Sequence, residues 1–270
     1  MSALTVAIIQ TCSGPFIEDN IQQIEKLIDQ ELKEPPSLLL FPECFASMEG
    51  DLTEVEKNSL YLRHWMQKQA QTHQCWLVGG SIPYRDYEKE KPRGSCFVYD
   101  PQGHEVARYD KIHLFDVDVS DNTGCYRESD DYLAGNQLVT VPMSDFSPAC
   151  LGLSICYDLR FPELYRELVS DGATIFCVPS AFTHITGQAH WESLLKARAI
   201  ENQSFVLAAN QGGRHPKGKE TWGHSMIISP WGDILAEANS NTPTIVSARL
   251  DLILIEKFRS KMPCLKHKKL

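Results

Sequence analysis

Short apolar runs recur along the chain, and between them the apolar residues fall at helical spacing; this rhythm limits the fold more than any other feature. LTVAII at 4–9 is followed by Ile17, Ile21, Ile24, Leu27, Ile28 and Leu32, which predicts a strand and then an amphipathic helix. SLLLF at 37–41 is continuous and apolar, as a strand buried on both faces would be, and it runs into Pro42 and Glu43. A helix over roughly 54–72 follows, with Leu62, Trp65, Met66 and Ala70 inward, then a strand from CWLVGGSI at 75–82. In SCFVYDPQGHEVARYDK at 95–111, an Asp-Pro-Gln-Gly turn predicts an antiparallel hairpin whose second strand delivers Lys111.

The second half repeats the rhythm. QLVTVP at 137–142 and ACLGLSIC at 149–156 read as strands. Pro162 then opens a helix that Gly172 closes, its inner face carrying Leu164, Tyr165, Leu168 and Val169. ATIFCVPSAF at 173–182, a helix over QAHWESLLKARAIENQ at 188–203 and SFVLAANQ at 204–211 come next. The chain ends with a hairpin around SPWGD at 229–233, a strand TIVSARL at 244–250 and a short helix that Asp251 caps. Helices alternating with strands, with hairpins interposed, predict a layered α/β protein with a mixed sheet and more strands than one sheet needs. With 270 residues, 43% hydrophobic, and no linker, low-complexity segment or internal repeat, a single domain over 1–270 is expected.

A formal charge of -9 argues against nucleic acid or an anionic membrane as partner, because the average surface would repel a polyanion, so a small molecule is the better expectation. The opening MSALTVAIIQTCSGPF lacks the basic start and sufficient apolar length of a signal peptide, and no run approaches a membrane span. Nine cysteines, an odd number with no CxxC pair, fit reduced thiols in a cytoplasm and give a zinc site little support.

Three predicted strand ends present reactive groups: Glu43 after SLLLFP, Lys111 after the hairpin and Cys156 after CLGLSI. Residues at the carboxyl ends of neighbouring strands converge on one crevice however far apart they lie in sequence. Chemically they form a set. A thiol is a weak nucleophile at its ordinary pKa; Glu43 can take its proton and later activate water, and Lys111 can stabilise the thiolate and a developing oxyanion. Taken singly, each also has a structural reading: a small buried hydrophobe, a loop carboxylate, a solvated charge. The polar segment 115–136, beginning just after Lys111, is longer than most connections in compact domains.

FPECF at 41–45, YDKIHLFD at 109–116 and GLSICYDLRFPEL at 152–164 resemble, in order and spacing, the three signature segments of the nitrilase superfamily of carbon-nitrogen hydrolases. The similarity continues through 178–215 and 222–238 and covers nearly the whole chain. It implies a four-layer α-β-β-α sandwich and a homodimer or higher homo-oligomer, with the tail about 251–270 reaching toward the partner. It carries the roles of general base to Glu43, oxyanion stabiliser and proton relay to Lys111, and nucleophile to Cys156. A second glutamate in YRESDDYLAGN falls on Glu128, whose implied task is to position Lys111 and the substrate. The wording CYDLRFPELYR, PSAFT and GRH most resembles the branch of deaminated glutathione amidases, which implies a thioester acyl-enzyme, release of cysteinylglycine and then 2-oxoglutarate, and no metal or organic cofactor. An ω-amidase acting on 2-oxoglutaramate is the nearest alternative.

The backbone N–H of Tyr157, just past the nucleophile, is the expected second oxyanion donor. Arg160, Phe182 and Thr186 are candidates for holding an α-keto acid end, since an Arg fork suits a carboxylate; for Arg160 the competing reading is an ion pair with Glu163 or Glu167. His184, His190 and His224 read as packed polar residues. Two other classes stay open: a Cys-His hydrolase using His190 or His224, which leaves Glu43 and Lys111 idle, and a non-catalytic interaction protein of the same fold.

Overall fold

The strand Leu4–Gln10 divides its side chains between two faces, and that division organises the computed structural model, which describes residues 4–119 and 124–269. Leu4, Val6 and Ile8 enter one buried cluster and Ala7 and Ile9 another, as the two-residue period of a strand requires. Leu38–Leu40 and Trp76–Val78 lie parallel beside it and split the same way. Burial on both faces is why these segments read as continuous apolar runs. Thr244–Leu250 borders this group antiparallel on one side. On the other, Arg93–Tyr99 pairs with Trp76–Val78 and carries Ile82–Tyr84 and Glu105–Asp110, completing seven strands.

The second sheet has six strands. Cys150–Leu153, Ile175–Cys177 and Phe205–Ala208 are parallel, bordered antiparallel by Thr140–Pro142 and by Met226–Ile228, which continues to Ile234–Glu237. Both sheets thus follow one scheme, three parallel strands with antiparallel borders, although no repeat is visible in the sequence. Helices Ile17–Glu31 and Ser59–His73 set Ile21, Ile24, Leu62 and Met66 against the Ala7 and Ile9 face of the first sheet. Pro162–Ser170 and His184–Asn202 cover the second sheet through Leu164, Leu168, Trp191 and Leu195. The remaining sheet faces share one core, so the order is helix, sheet, sheet, helix, the expected four-layer α-β-β-α sandwich.

Several expected elements differ in extent. The run at 75–82 is two strands, not one, because the chain turns at Gly79 and Gly80. Gly80 has φ +58°, and a Cβ there would lie 2.0 Å from the Pro42 carbonyl oxygen, so the strand gives way to the loop that carries Glu43. The helix expected over 54–72 is two, Leu52–Lys57 and Ser59–His73, parted at Asn58, whose side-chain amide donates back to the Glu54 carbonyl. Of 137–142 only Thr140–Pro142 pairs. Val169 is half-buried, and Asp251 accepts the Ile253 N–H at the start of the last helix, Ile253–Lys261. Segment 115–136 is partly regular, with a hairpin of Asp116–Asp118 and Cys125–Arg127 and a 3-10 turn at Glu128–Asp130; its residues 120–123 lie outside the described residues, as does Leu270 of the tail. Among the described residues no helix is long and apolar enough to cross a membrane.

Candidate active site

Three chain segments bring Glu43, Lys111 and Cys156 together. After Leu38–Leu40 the Phe41 N–H still bonds the Val78 carbonyl; beyond Pro42 the chain turns, and Cys44 takes φ +55° with its N–H donating to Ser81 Oγ. The Glu43 carbonyl accepts from the Gln211 side chain at 3.0 Å. Lys111 directly follows Glu105–Asp110; its N–H donates to the Gly94 carbonyl and its own carbonyl accepts from Gly135. Cys156 ends the approach from Cys150–Leu153 with φ +48°, a left-handed conformation that a non-glycine residue holds at a cost of ~1–3 kcal/mol. That turn lifts the thiol off the end of the sheet and starts the 3-10 helix Cys156–Arg160, after which Pro162 opens the next helix.

The charges are buried and matched. The Lys111 ammonium donates to Glu43 Oε1 at 2.8 Å and to both oxygens of Glu128 at 2.9 Å. Glu43 and Lys111 are 6% and 2% exposed, so neither charge could stand there alone. Burial by itself would lower the lysine pKa, but Glu128 and then Glu43 outweigh it and hold Lys111 protonated, well above its ordinary value. Glu128 also accepts the Phe115 N–H at 2.7 Å, which fixes the carboxylate beneath the ammonium. For Cys156, burial first and then Glu43 push the thiol well above the usual value, and Lys111 opposes them without prevailing. Lys111 thus favours the thiolate, as a neighbouring cation should, but two carboxylates share its charge and it does not outweigh burial and Glu43. A thiol beside a carboxylate can lose its proton as it attacks, while the ammonium meets the charge that develops on a carbonyl oxygen.

All eight residues singled out in the sequence line one cavity of about 330 Å³. The Cys156 N–H is spent on the Pro179 carbonyl, so it has no role toward a substrate oxygen; Tyr157 follows in the first turn of the 3-10 helix, where backbone N–H groups lack intrahelical acceptors. Arg160 forms no ion pair with Glu163 or Glu167. Its guanidinium lies 5.4 Å from the Phe182 ring centre and 5.9 Å from that of Tyr157, and Nη1 is 3.3 Å from His190 Nδ1. The Thr186 hydroxyl lies 2.8 Å from that of Thr183, the N-cap of His184–Asn202. No histidine lines the cavity among the described residues: His184 and His224 pack against Trp222, and His190 touches Arg160 from outside. The arrangement gives a Cys-His pair no support.

Sequence reasoning missed Asp158 and Lys219. Asp158 is fully buried, and its carboxylate accepts from the Tyr109 hydroxyl, the Ile155 N–H, the His113 N–H and, at 2.7 Å, His113 Nδ1. It lies two residues past Cys156 yet reads as an ordinary helix acid. Lys219 reaches the cavity wall from a turn that reads as solvated charge.

With this geometry in view, comparison with known proteins is consistent throughout. The sequence profile of the family described as Carbon-nitrogen hydrolase matches residues 5–260. A protein of Yersinia enterocolitica named deaminated glutathione amidase is 40% identical, over 99% of this chain and 93% of its own length. One of the same name from Dictyostelium discoideum is 39% identical, over 94% and 89%. Among solved structures, the Caenorhabditis elegans NitFhit protein superposes with a TM-score of 0.90 at 33% identity, covering all of this chain and 66% of that one. A Saccharomyces cerevisiae member of branch 10 of the nitrilase superfamily gives 0.82 at 29% identity, over 97% and 94%.

Proposed function

The chain belongs to the carbon-nitrogen hydrolase family, and from that premise we propose that it is a cysteine-dependent amidase whose substrate is deaminated glutathione. The observation that carries the chemistry is the convergence of Glu43, Lys111 and Cys156 on one cavity, with the ammonium 2.8 Å from the carboxylate. The relatives' shared name supports the substrate.

In this reading Cys156 Sγ attacks the amide carbonyl carbon as its proton passes to Glu43. The oxyanion is met by the Lys111 ammonium and the Tyr157 N–H. The C–N bond breaks as Glu43 returns the proton to the departing nitrogen, releasing cysteinylglycine and leaving a thioester. Water then adds to the thioester with Glu43 taking its proton, the C–S bond breaks, sulfur regains a proton, and 2-oxoglutarate leaves. Glu128 positions Lys111, while Arg160, Phe182 and Thr186 hold the α-keto acid end.

The same reading makes the protein a cytoplasmic homodimer with its tail toward the partner. Nine unpaired cysteines support the compartment. Exposed Trp231, stacked on Phe258, and exposed Met262, whose N–H donates to the Phe258 carbonyl, support the interface, and sedimentation of the purified protein tests it.

The deciding experiment supplies deaminated glutathione and 2-oxoglutaramate in parallel, with Cys156→Ala protein as the blank, and measures cysteinylglycine and ammonia. Preference for the first substrate is expected. Equal rates on both would overturn the substrate, and activity in the Cys156→Ala protein would overturn the mechanism.

A further inference from the structure

Two cations on the cavity wall, Arg160 and Lys219, have no carboxylate partner among the described residues. The others are compensated: Lys111 by Glu43 and Glu128, Arg127 by Asp118. Lys219 sits in the turn between strands Gly212–Arg214 and Glu220–Trp222, and its backbone is fixed. The Glu49 carboxylate accepts the N–H groups of Lys217 and Lys219 at 2.6 and 3.0 Å and so holds this turn by its main chain. The Lys219 carbonyl accepts from His215 at 2.8 Å. The half-buried side chain places its ammonium 5.0 Å from the centre of the Tyr126 ring, which Phe115 links to Tyr157 and so to the ring beside Arg160. Among the described residues no carboxylate forms an ion pair with this half-buried ammonium, which leaves it able to take an anion.

The space around Lys219 extends further. A second cavity of about 290 Å³ shares Glu43, Cys44, Met48, Glu128, Asp131, Tyr132 and Lys219 with the first, continues past Ser47 and Gly50, and does not include Arg160. A substrate larger than a simple acyl group can therefore pass the triad and continue beyond Lys219. Deaminated glutathione carries a carboxylate at each end of the scissile amide, and two cations without an ion-pair partner among the described residues match that charge, Arg160 bordering only the first cavity and Lys219 both.

Resting on the function proposed above, we propose that Lys219 binds the terminal carboxylate of the leaving cysteinylglycine half, while Arg160 takes the α-keto acid end. Lys219 thereby selects amides whose amine half is anionic. A substrate that releases ammonia offers it nothing, so the residue sets specificity between the two kinds of amide.

The test compares deaminated glutathione with its C-terminal glycinamide analogue, which has the same scissile bond but lacks that carboxylate. The wild-type protein is expected to favour the acid by ~10- to 100-fold in kcat/KM, the worth of a hydrogen-bonded charge pair. Lys219→Met is expected to lose that preference and Lys219→Arg to keep it. A Lys219→Met protein that slows on both substrates equally, or that keeps the preference, overturns the inference alone. No turnover of either substrate by the wild type overturns the proposed function and this inference with it.

Discussion

The Tyr109 hydroxyl donates to the buried Asp158 carboxylate at 2.7 Å, tying the strand that delivers Lys111 to the turn that presents Cys156. The same carboxylate accepts the Ile155 N–H just before the thiol and two groups of His113 just beyond the lysine. Asp158 therefore holds both functional segments in register. Asp158→Asn turns an acceptor into a donor facing donors and is expected to cost about 2–4 kcal/mol, measured by urea unfolding, with turnover falling at least about tenfold in the protein that remains folded. Tyr109→Phe leaves three donors in place and should cost only about 1 kcal/mol. Wild-type stability and turnover in Asp158→Asn would remove the positioning role.

Because Glu43 raises the Cys156 pKa, removing its charge should separate thiol reactivity from catalysis. In Glu43→Gln the remaining ammonium favours the thiolate, so alkylation of Cys156 by iodoacetamide at pH 7 is expected to exceed the wild-type rate. Amide turnover should fall by ~10²–10⁴ for want of the base. In the wild type, alkylation should keep rising through pH 9, since the thiol pKa lies above its ordinary value; a plateau below pH 7 would mean that a thiolate is the resting form.

Lys111→Met leaves Glu43 and Glu128 on either side of the lost ammonium. Like charges in a buried site favour protonation of one, so the folded pKa of the pair rises above the unfolded glutamate value of about 4.3. A carboxyl whose folded pKa is raised loses stability as pH rises above its unfolded value. The deficit against wild type should widen from pH 5 to pH 8, toward roughly 3–5 kcal/mol. In the wild type the folded lysine pKa is raised instead, and its contribution is complete below about pH 10.4, so that window leaves it unchanged. Turnover should fall at least as far as on loss of an oxyanion donor, about 10²–10³-fold. A deficit that does not vary with pH would argue against the shared ammonium.

What the sequence reveals of this site follows from where local signals exist. Glu43, Lys111 and Cys156 each follow an apolar run or a marked hairpin, so strand ends can be read and convergence inferred. Asp158 carries no such mark: Tyr109 and His113, its partners, lie 49 and 45 residues away, and only tertiary packing makes its carboxylate a buried hub. Gly80 looks like a break in an apolar run, but its cause is the Pro42 carbonyl, supplied by another loop. A layered α/β fold was legible as alternation, because strands buried on both faces and helices with one apolar face have different periods; the four layers were implied only by the resemblance to the nitrilase superfamily. That the two sheets share one scheme was not legible, since topology repeats here without any repetition of residues.

Substitution of Arg160 tests whether substrate binding and stability separate at this position. Its ion-pair reading required Glu163 or Glu167, and the guanidinium instead lies against Phe182 and Tyr157 on the cavity wall, with Nη1 near His190. A carboxylate bound there would meet a planar fork already oriented by two rings. Arg160→Lys keeps the charge but loses the fork, so KM for deaminated glutathione is expected to rise about tenfold, with kcat and the melting temperature close to wild type. Arg160→Met, which also loses the charge, should lower kcat/KM by about 100-fold. A fall in melting temperature with KM unchanged would return Arg160 to a structural role and leave the α-keto acid end to other groups.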